Sequence, residues 1–516
     1  MSLALRHHYQ QLLDREAGYP LPPPTSPLSF AVCYPNTYFV GMSNLGVHAV
    51  YRLLGERCGL RPERAFLPDP LQRGDFQSSR TPLFSLETRQ DLSSFHVLGF
   101  SLQFEEDYPR VVTMLRLAGI PVRSGDREDG DPLVLAGGPC ATYNPLPLAD
   151  LVDAFVVGDA EPVLPKLVAR LEKCTTRGGV LSRQEALAAL TELPGVFVPS
   201  TAGTLGPGRV GGAQRQVADS LLDFPVASVL FTPDTEFSGM NLIEVGRGCA
   251  AGCRFCVTGH ALGPRRALPP EAILELARRG RGFATRVGLV GPSVSDIPQI
   301  DHVCSRLIEE GFGFSLASMR LQSLSSRLLE TMVRGGQRSV TIAPEAGTER
   351  LRKLVSKNAS EAQITDCIDR ARAAGIESVR LYFLLGLPTE TDADASEIPK
   401  LVRRLRDQTK IRQLDLSVSV LVPKPMTPFE REAMPARAVL ERRVRELQNA
   451  LGGERGIAVK IDSVRWAFVQ AVLARGDRNF GEALVAAEAG GATLGAWRKA
   501  LKGVGIELWE APTQRQ

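Results

Sequence analysis

The stretch NLIEVGRGCAAGCRFC (residues 241–256) decides how this chain is read. Its opening residues form a short apolar run of the kind that makes a buried strand. The run passes straight into Gly246 and Gly248 and then into Cys249, Cys253 and Cys256, spaced C-x3-C-x2-C. A glycine-rich loop at a strand end is no hydrophobic core, so three thiols gathered there read as ligands. Three thiolates on one loop can hold three corners of an iron–sulfur cube. Such clusters are commonly held by four cysteines. A corner left open is a place for a substrate or cofactor to coordinate, as in catalytic metal sites. Two other readings compete: a Cys3His zinc site with His260 as fourth ligand, and an electron-transfer ferredoxin, which would want a fourth cysteine. Cys33, Cys58, Cys140, Cys174, Cys304 and Cys367 are singletons and read as small buried hydrophobes.

The beat begun at residue 241 continues. Candidate strands follow at RVGLVG (286–291), FSLASM (314–319), SVTIAP (339–344), SVRLYFLLG (378–386) and LDLSVSVLV (414–422). Helical patterns lie between them, stopped by Gly280, Gly311, Gly335 and Gly375, and Ser360 with Gln363 forms a capping box. Six strand–helix beats over about 180 residues predict a (β/α)6 partial TIM barrel, since a full eight-stranded barrel needs about 250. In such barrels the chemistry sits on the loops after the strands. LVPKPMTPF (421–429) reads as a rigid exit turn made by Pro423, Pro425 and Pro428, with Lys424 as a residue able to face the pocket. Residues 430–516 read as a mainly helical C-terminal region.

Ahead of the barrel, near-continuous apolar strands at SFAVCYP, HVLGFSL, PLVLAGG and DAFVVGD alternate with helical patterns between residues 28 and 200. That alternation predicts a parallel, doubly wound, Rossmann-like α/β sheet. Ser43 or Asn44 would cap its first helix. Residues 1–27 form an N-terminal segment, and residues 201–235, which open with the Gly-rich TAGTLGPGRVGGAQR, read as a linker.

Composition agrees with a soluble, well-cored chain of about three domains: 516 residues, 44% hydrophobic and 23% charged. A net charge of +4 does not announce nucleic-acid binding; Arg265–Arg266 and Arg442, Arg443 and Arg445 are compatible with RNA contact, the second set reading mainly as a solvated helix face. No apolar run is long enough to span a bilayer, and the N-terminus becomes charged too early for a secretory leader. The expected compartment is the cytoplasm.

GRGCAAGCRFC in front of a six-fold strand–helix unit resembles the radical S-adenosylmethionine (SAM) superfamily, with Phe255 in the aromatic place of its cysteine motif. The resemblance implies a 4Fe–4S cluster held by Cys249, Cys253 and Cys256, which chelates SAM and cleaves it reductively to a 5′-deoxyadenosyl radical. It also implies a small electron-donor protein, such as a flavodoxin or ferredoxin. Later strand ends supply SAM-binding candidates: Phe255 itself, then Gly291 and Ser293 for the amino group. Arg320 is the candidate for the carboxylate, Glu345 for the ribose, and Gly386 with Glu390 for the region near adenine. The common Gly-Gly-Glu after the second strand is replaced here by VGPSVSD (290–296).

The N-terminal unit resembles the cobalamin-binding domain of cobalamin-dependent radical SAM enzymes, through LAGGPCATYNP (135–145) and VVGDAEPVLPKLV (156–168). Cobalamin contacts are then expected from Ser43, Asn44, Ser101, Gly137, Gly138, Gly158 and Glu161. The D-x-H-x-x-G cobalt-ligand motif is absent, and His48 reads as a packed or surface residue rather than a ligand. YPNTYFVGMSNLG, APEAGTERLR, PKPMTPF and ARGDRNFGEAL together resemble an uncharacterised family of this type. The function implied is a transferase, a C-methyltransferase above all. The alternatives are a radical SAM enzyme without cobalamin that modifies RNA or another docked substrate, and a non-enzymatic iron–sulfur or zinc module.

Overall fold

A computed structural model of the chain describes residues 3–176, 178–201 and 213–513. Its backbone contacts divide it into two units, Met1–Gly239 with Leu473–Ile506, and Met240–Val472 with Glu507–Gln516.

The first unit is built on β1 (Phe30–Tyr34), β2 (Glu63–Phe66), β3 (Val97–Ser101), β4 (Leu133–Gly137), β5 (Ala154–Val156) and β6 (Val196–Phe197). They lie in the order β2-β1-β3-β4-β5-β6; all pairs are parallel except β5–β6. Helices α1 (Leu45–Cys58), α2 (Tyr108–Leu117) and α3 (Leu164–Lys173) connect or follow the strands. All five residues of β1 are buried, as a sheet covered on both faces requires. Asn44 is the cap of α1: its side chain accepts the Gly46 N–H at 2.9 Å.

Two sequence expectations change here. The described part of the supposed linker is packed into this unit, with Leu221, Phe224, Val226 and Val229 buried, while residues 202–212 lie outside the described residues. The last helices are no separate domain either. The helices α10 (Phe480–Ala489) and α11 (Leu494–Gly503) belong to the first unit, where α10 packs on α2. Arg116 pairs with Glu488, and Asn144 Nδ2 donates to the Ala474 and Gly476 carbonyls at 3.0 and 2.8 Å.

The second unit holds the six expected strands: β7 (Met240–Glu244), β8 (Arg286–Val290), β9 (Gly313–Leu316), β10 (Ser339–Glu345), β11 (Ser378–Leu385) and β12 (Gln413–Val420). They form two parallel ladders, β9-β8-β7 and β10-β11-β12, and the second is extended by β13 (Ile457–Ile461). Strand β13 lies in the region expected to be mainly helical. Along β12 buried and half-buried residues alternate strictly, and β11 alternates likewise with Arg380 and Tyr382 exposed. The outer helices are α4 (Pro270–Arg279), α5 (Ile300–Glu309), α6 (Ser326–Arg334), α7 (Glu361–Ala374), α8 (Asp392–Thr409) and α9 (Arg437–Leu451). The Ser360–Gln363 capping box opens α7 and left-handed Gly375 closes it. Among the described residues no helix is long and apolar enough to cross a membrane.

Candidate active site

The cysteine loop is closed at its base by a two-residue antiparallel ladder, Gly246–Arg247 against Arg266–Ala267. Beneath it the Val245 N–H donates to the Val290 carbonyl and the Leu268 N–H to the Val245 carbonyl, tying both ends of the loop to the strand ends. Gly248 turns left-handed at φ +71°, and a Cβ there would stand 2.2 Å from the Pro264 carbonyl oxygen. Only glycine fits this close approach. The Ala251 N–H donates to Cys249 Sγ at 3.4 Å, the Cys256 N–H to the Cys253 carbonyl at 3.1 Å, and Cys256 starts the turn Val257–His260. The three cysteines are free and half-buried. Burial pushes the Cys253 thiol up, Lys357 pulls it down, and Cys256, Glu345 and Cys249 push it up again. Phe255 packs on the buried cluster of Ala346, Leu351, Val355, Leu387, Leu421 and Phe429, which anchors the middle of the loop.

Among the described residues no three His, Cys, Asp or Glu side chains gather to hold one metal ion. A tetrahedral zinc at about 2.3 Å from each sulfur needs its donors within roughly 4 Å of one another. A cube binds each cysteine at a different iron and needs its thiols further apart. His260 Nε2 lies 3.1 Å from the Cys253 carbonyl oxygen, a backbone contact within the loop.

The other strand-end candidates fall into three groups. Gly291 follows β8 and lies against the Gly246 backbone, where a Cβ would be 3.0 Å from its carbonyl oxygen. Ser293 and Arg320 meet on a residue the sequence reading passed over, Asp296: Ser293 Oγ donates at 2.7 Å and the Arg320 guanidinium at 3.0 Å. Although burial raises Asp296, hydrogen bonds from Ser323, Ser293 and Arg320 hold its carboxyl below the usual range. Arg320 remains partly exposed beside this cluster, able to receive a carboxylate.

Glu345 ends β10 at φ +68°, is buried, and pairs with Lys357 at 3.3 Å. Glu390 departs from the expected role. Its side chain is 1% exposed and its carboxylate accepts the Gly386 N–H and the Arg443 guanidinium, both at 2.7 Å. It shapes the Gly386 turn (φ +85°) from behind rather than facing a ligand. Lys424 sits in a tight exit turn, its carbonyl accepting the Thr427 hydroxyl at 2.7 Å, as the proline pattern predicted.

The arginines read as candidate RNA contacts are engaged elsewhere. Arg265 binds the Asp296 carbonyl and Arg442 pairs with Asp392 and Glu446, while Arg443 is buried.

In the first unit, the 2-1-3-4-5 strand order puts a topological switch point between β1 and β3, the place where such sheets bind ligands. Asn36 and Asp107 tie the loops after these strands together at 3.4 Å. The same connections carry exposed Phe39 and Val40, on the short helix Tyr38–Met42, and Phe104, the last 62% exposed. Phe237, also exposed, follows Glu236, whose N–H donates to Ser43 Oγ at 3.0 Å. One oxygen of buried Asp107, Oδ2, is without a hydrogen-bond partner. Ser43 is therefore occupied by the 235–236 segment and Asn44 by its capping bond. Ser101 Oγ accepts from Gln103 at 3.1 Å.

The glycines also differ from expectation. Gly138 (φ +100°) accommodates the Leu102 backbone, and Gly158 (φ +100°) the Gln216 backbone, so their freedom serves the chain's own close approaches. Gly137 stands at the end of β4 in ordinary contact with Val156, and Glu161 lies between β5 and α3. His48 is packed, which settles the two positions left open for it. Nε2 lies 3.1 Å from the Met42 carbonyl and Nδ1 accepts the Val229 N–H at 3.3 Å, so both ring nitrogens are engaged.

The N-terminal domain of radical SAM proteins matches residues 46–199, and the radical SAM superfamily matches residues 243–402. An uncharacterised protein of Methanocaldococcus jannaschii is 28% identical over 463 residues, 88% of this chain and 90% of that protein. A tRNA-2-methylthio-N(6)-dimethylallyladenosine synthase of Pseudothermotoga lettingae is 23% identical over 43% of this chain, which spans only 54% of that enzyme. Among solved structures, the radical SAM methyltransferase TsrM of Kitasatospora setae matches with a TM-score of 0.50 at 13% identity, covering 79% of this chain and 78% of that one. One structure of TsrM holds cobalamin and a [4Fe-4S] cluster. The fold and both domain matches agree with the cysteine loop: the chain is an enzyme of the radical SAM superfamily, with a fold like that of TsrM.

Proposed function

We propose that the chain is a cobalamin-dependent radical SAM methyltransferase, acting at an unreactive carbon in the cytoplasm with a flavodoxin- or ferredoxin-like reductant. The observation that carries the cobalamin reading is the switch point of the first unit. There Phe39, Val40 and Phe104 remain exposed on the two connections that flank it. Large exposed apolar groups gathered at a ligand crevice suit a broad ring with apolar faces. His48, with both nitrogens engaged, is not a ligand for cobalt. The TsrM fold supports the same reading.

In the second unit Cys249, Cys253 and Cys256 would hold the cluster. When bound with SAM, the cluster supplies the electron that cleaves it to methionine and a 5′-deoxyadenosyl radical. The chain's own residues bind and orient. Arg320, steadied by Asp296, receives the methionyl carboxylate, and Ser293 stands beside it for the amino group. Gly291 keeps the second strand-end loop against the base of the cysteine loop. Phe255 anchors that loop in apolar packing and keeps water from its inner side. Glu390 and Arg443 hold the Gly386 turn open for the adenine.

The test is retention of a corrin. After anaerobic incubation with hydroxocobalamin and gel filtration, the full chain should keep corrin absorbance, and Phe39→Ser with Phe104→Ser should release it. A wild-type protein that elutes without corrin refutes cobalamin dependence.

A further inference from the structure

Beside the cysteine loop stands a cation whose placement the chain secures from several directions. Lys357 follows the short helix Glu349–Leu354 and is turned back by Ser356, a non-glycine residue in the left-handed region at φ +62°. The Lys357 N–H donates to the Arg352 carbonyl at 2.8 Å, and the Lys357 carbonyl accepts the Ala359 N–H at 2.7 Å. Arg352 is itself buried. Its guanidinium donates to the carbonyls of Ala346, Gly347 and Ala359 at 3.0, 2.9 and 2.7 Å, which pins this loop to the end of β10. There Glu345, left-handed and buried, receives the Lys357 ammonium at 3.3 Å.

The same loop is tied to the cysteines. The Arg254 N–H donates to the Val355 carbonyl and its guanidinium to the Leu354 carbonyl, each at 3.4 Å. That guanidinium also lies over the Phe429 ring at 4.9 Å, so Arg254 is directed toward packing. Lys357 is thus the cation fixed beside the Cys253 segment.

We propose that Lys357, held by Glu345, is a positioning residue that sets the reduction potential of the cluster bound by Cys249, Cys253 and Cys256. The proposal rests on the cluster reading above and is independent of cobalamin. A cube carried by three thiolates is anionic, and reduction adds one more negative charge. A nearby fixed cation stabilises the reduced form more than the oxidised one and so raises the potential. Glu345 then serves to hold the lysine, in place of the ribose contact expected of it.

The experiment is a redox titration of the anaerobically reconstituted full chain without SAM, followed by electron paramagnetic resonance. Lys357→Met should shift the midpoint to more negative potential, while Lys357→Arg, which keeps the charge, should leave it near wild type. Should Lys357→Met fail to take up iron, Lys357→Gln carries the same expectation. A neutral variant whose midpoint equals that of wild type overturns the assignment of Lys357 and leaves the cluster reading standing. Wild-type protein that forms no cluster overturns both.

Discussion

Gly248 and Gly252 offer a controlled comparison inside the cysteine loop. Both are left-handed, at φ +71° and +65°. Alanine at either position carries the same conformational penalty, about 1–2 kcal/mol. They differ in surroundings. A Cβ on Gly252 meets nothing within 4 Å, whereas one on Gly248 would stand 2.2 Å from the Pro264 carbonyl oxygen and 2.7 Å from that of Gly263. Ordinary contact begins near 3.4 Å, so the Gly248→Ala variant must open the approach by 1.2 Å (3.4 minus 2.2). The obstructing atoms are backbone and cannot swing aside. Because Gly248 immediately precedes Cys249, the shift is delivered to the first thiol. A misplacement of about 1 Å near the chemistry lowers a rate on the order of a hundredfold. Iron and sulfide per chain, with the initial rate of SAM cleavage, measure the outcome. Gly252→Ala should assemble its cluster and lose only a few degrees of thermal stability, since about 1 kcal/mol shifts a unit of this size by roughly 2–4 °C. Gly248→Ala should assemble poorly or turn over about a hundredfold more slowly. If the two variants behave alike, the close approach at Pro264 is not what positions Cys249.

Three further outcomes follow from buried charges. Burial lowers His48 from 6.5 to about 4, so its stabilising effect is present above pH 6.5 and is lost as pH falls toward 4. Between pH 7 and 5 that loss is about 2 kcal/mol, at about 1.4 kcal/mol per unit, and denaturant melts of His48→Gln should lack it. Asp107 has the opposite sign: burial raises it from 3.8 to about 6, so its stability is present at low pH and is lost as pH rises through 6. Acidification from pH 7 to 5 should therefore strengthen wild type relative to Asp107→Asn by roughly 1 kcal/mol, and equal slopes would count against burial raising this carboxyl. Arg443→Met leaves Glu390 buried without its cation, which should cost about 3 kcal/mol in denaturant melts and raise the KM for SAM; adding Glu390→Gln should recover part of the loss.

How far the sequence could be read follows from how local each feature is. The cysteine loop, the six barrel strands and the α7 caps are written in contiguous residues, and they lie where the pattern put them. Strand β13 was missed because IAVKI is a short alternating run amid long helical patterns, and its pairing with β12 is a tertiary event. The return of Leu473–Ile506 to the first unit depends on contacts more than 300 residues apart, such as Asn144 with Ala474. The same distance hid side-chain assignments. Nothing in LLGLPTE reveals that Glu390 meets Arg443, and nothing near Glu345 announces Lys357. Glycines 138 and 158 looked like ligand turns because a positive φ has the same sequence signature whether a cofactor or the chain's own backbone comes close.

The central claim is that this chain cleaves SAM through a three-cysteine cluster. Reconstituted anaerobically, reduced with dithionite and given SAM, the wild-type protein should release 5′-deoxyadenosine, measured by liquid chromatography with mass detection, and Cys253→Ala should release none. Protein with a full complement of iron and sulfide that yields no 5′-deoxyadenosine, or a Cys253→Ala variant that yields as much as wild type, would contradict it.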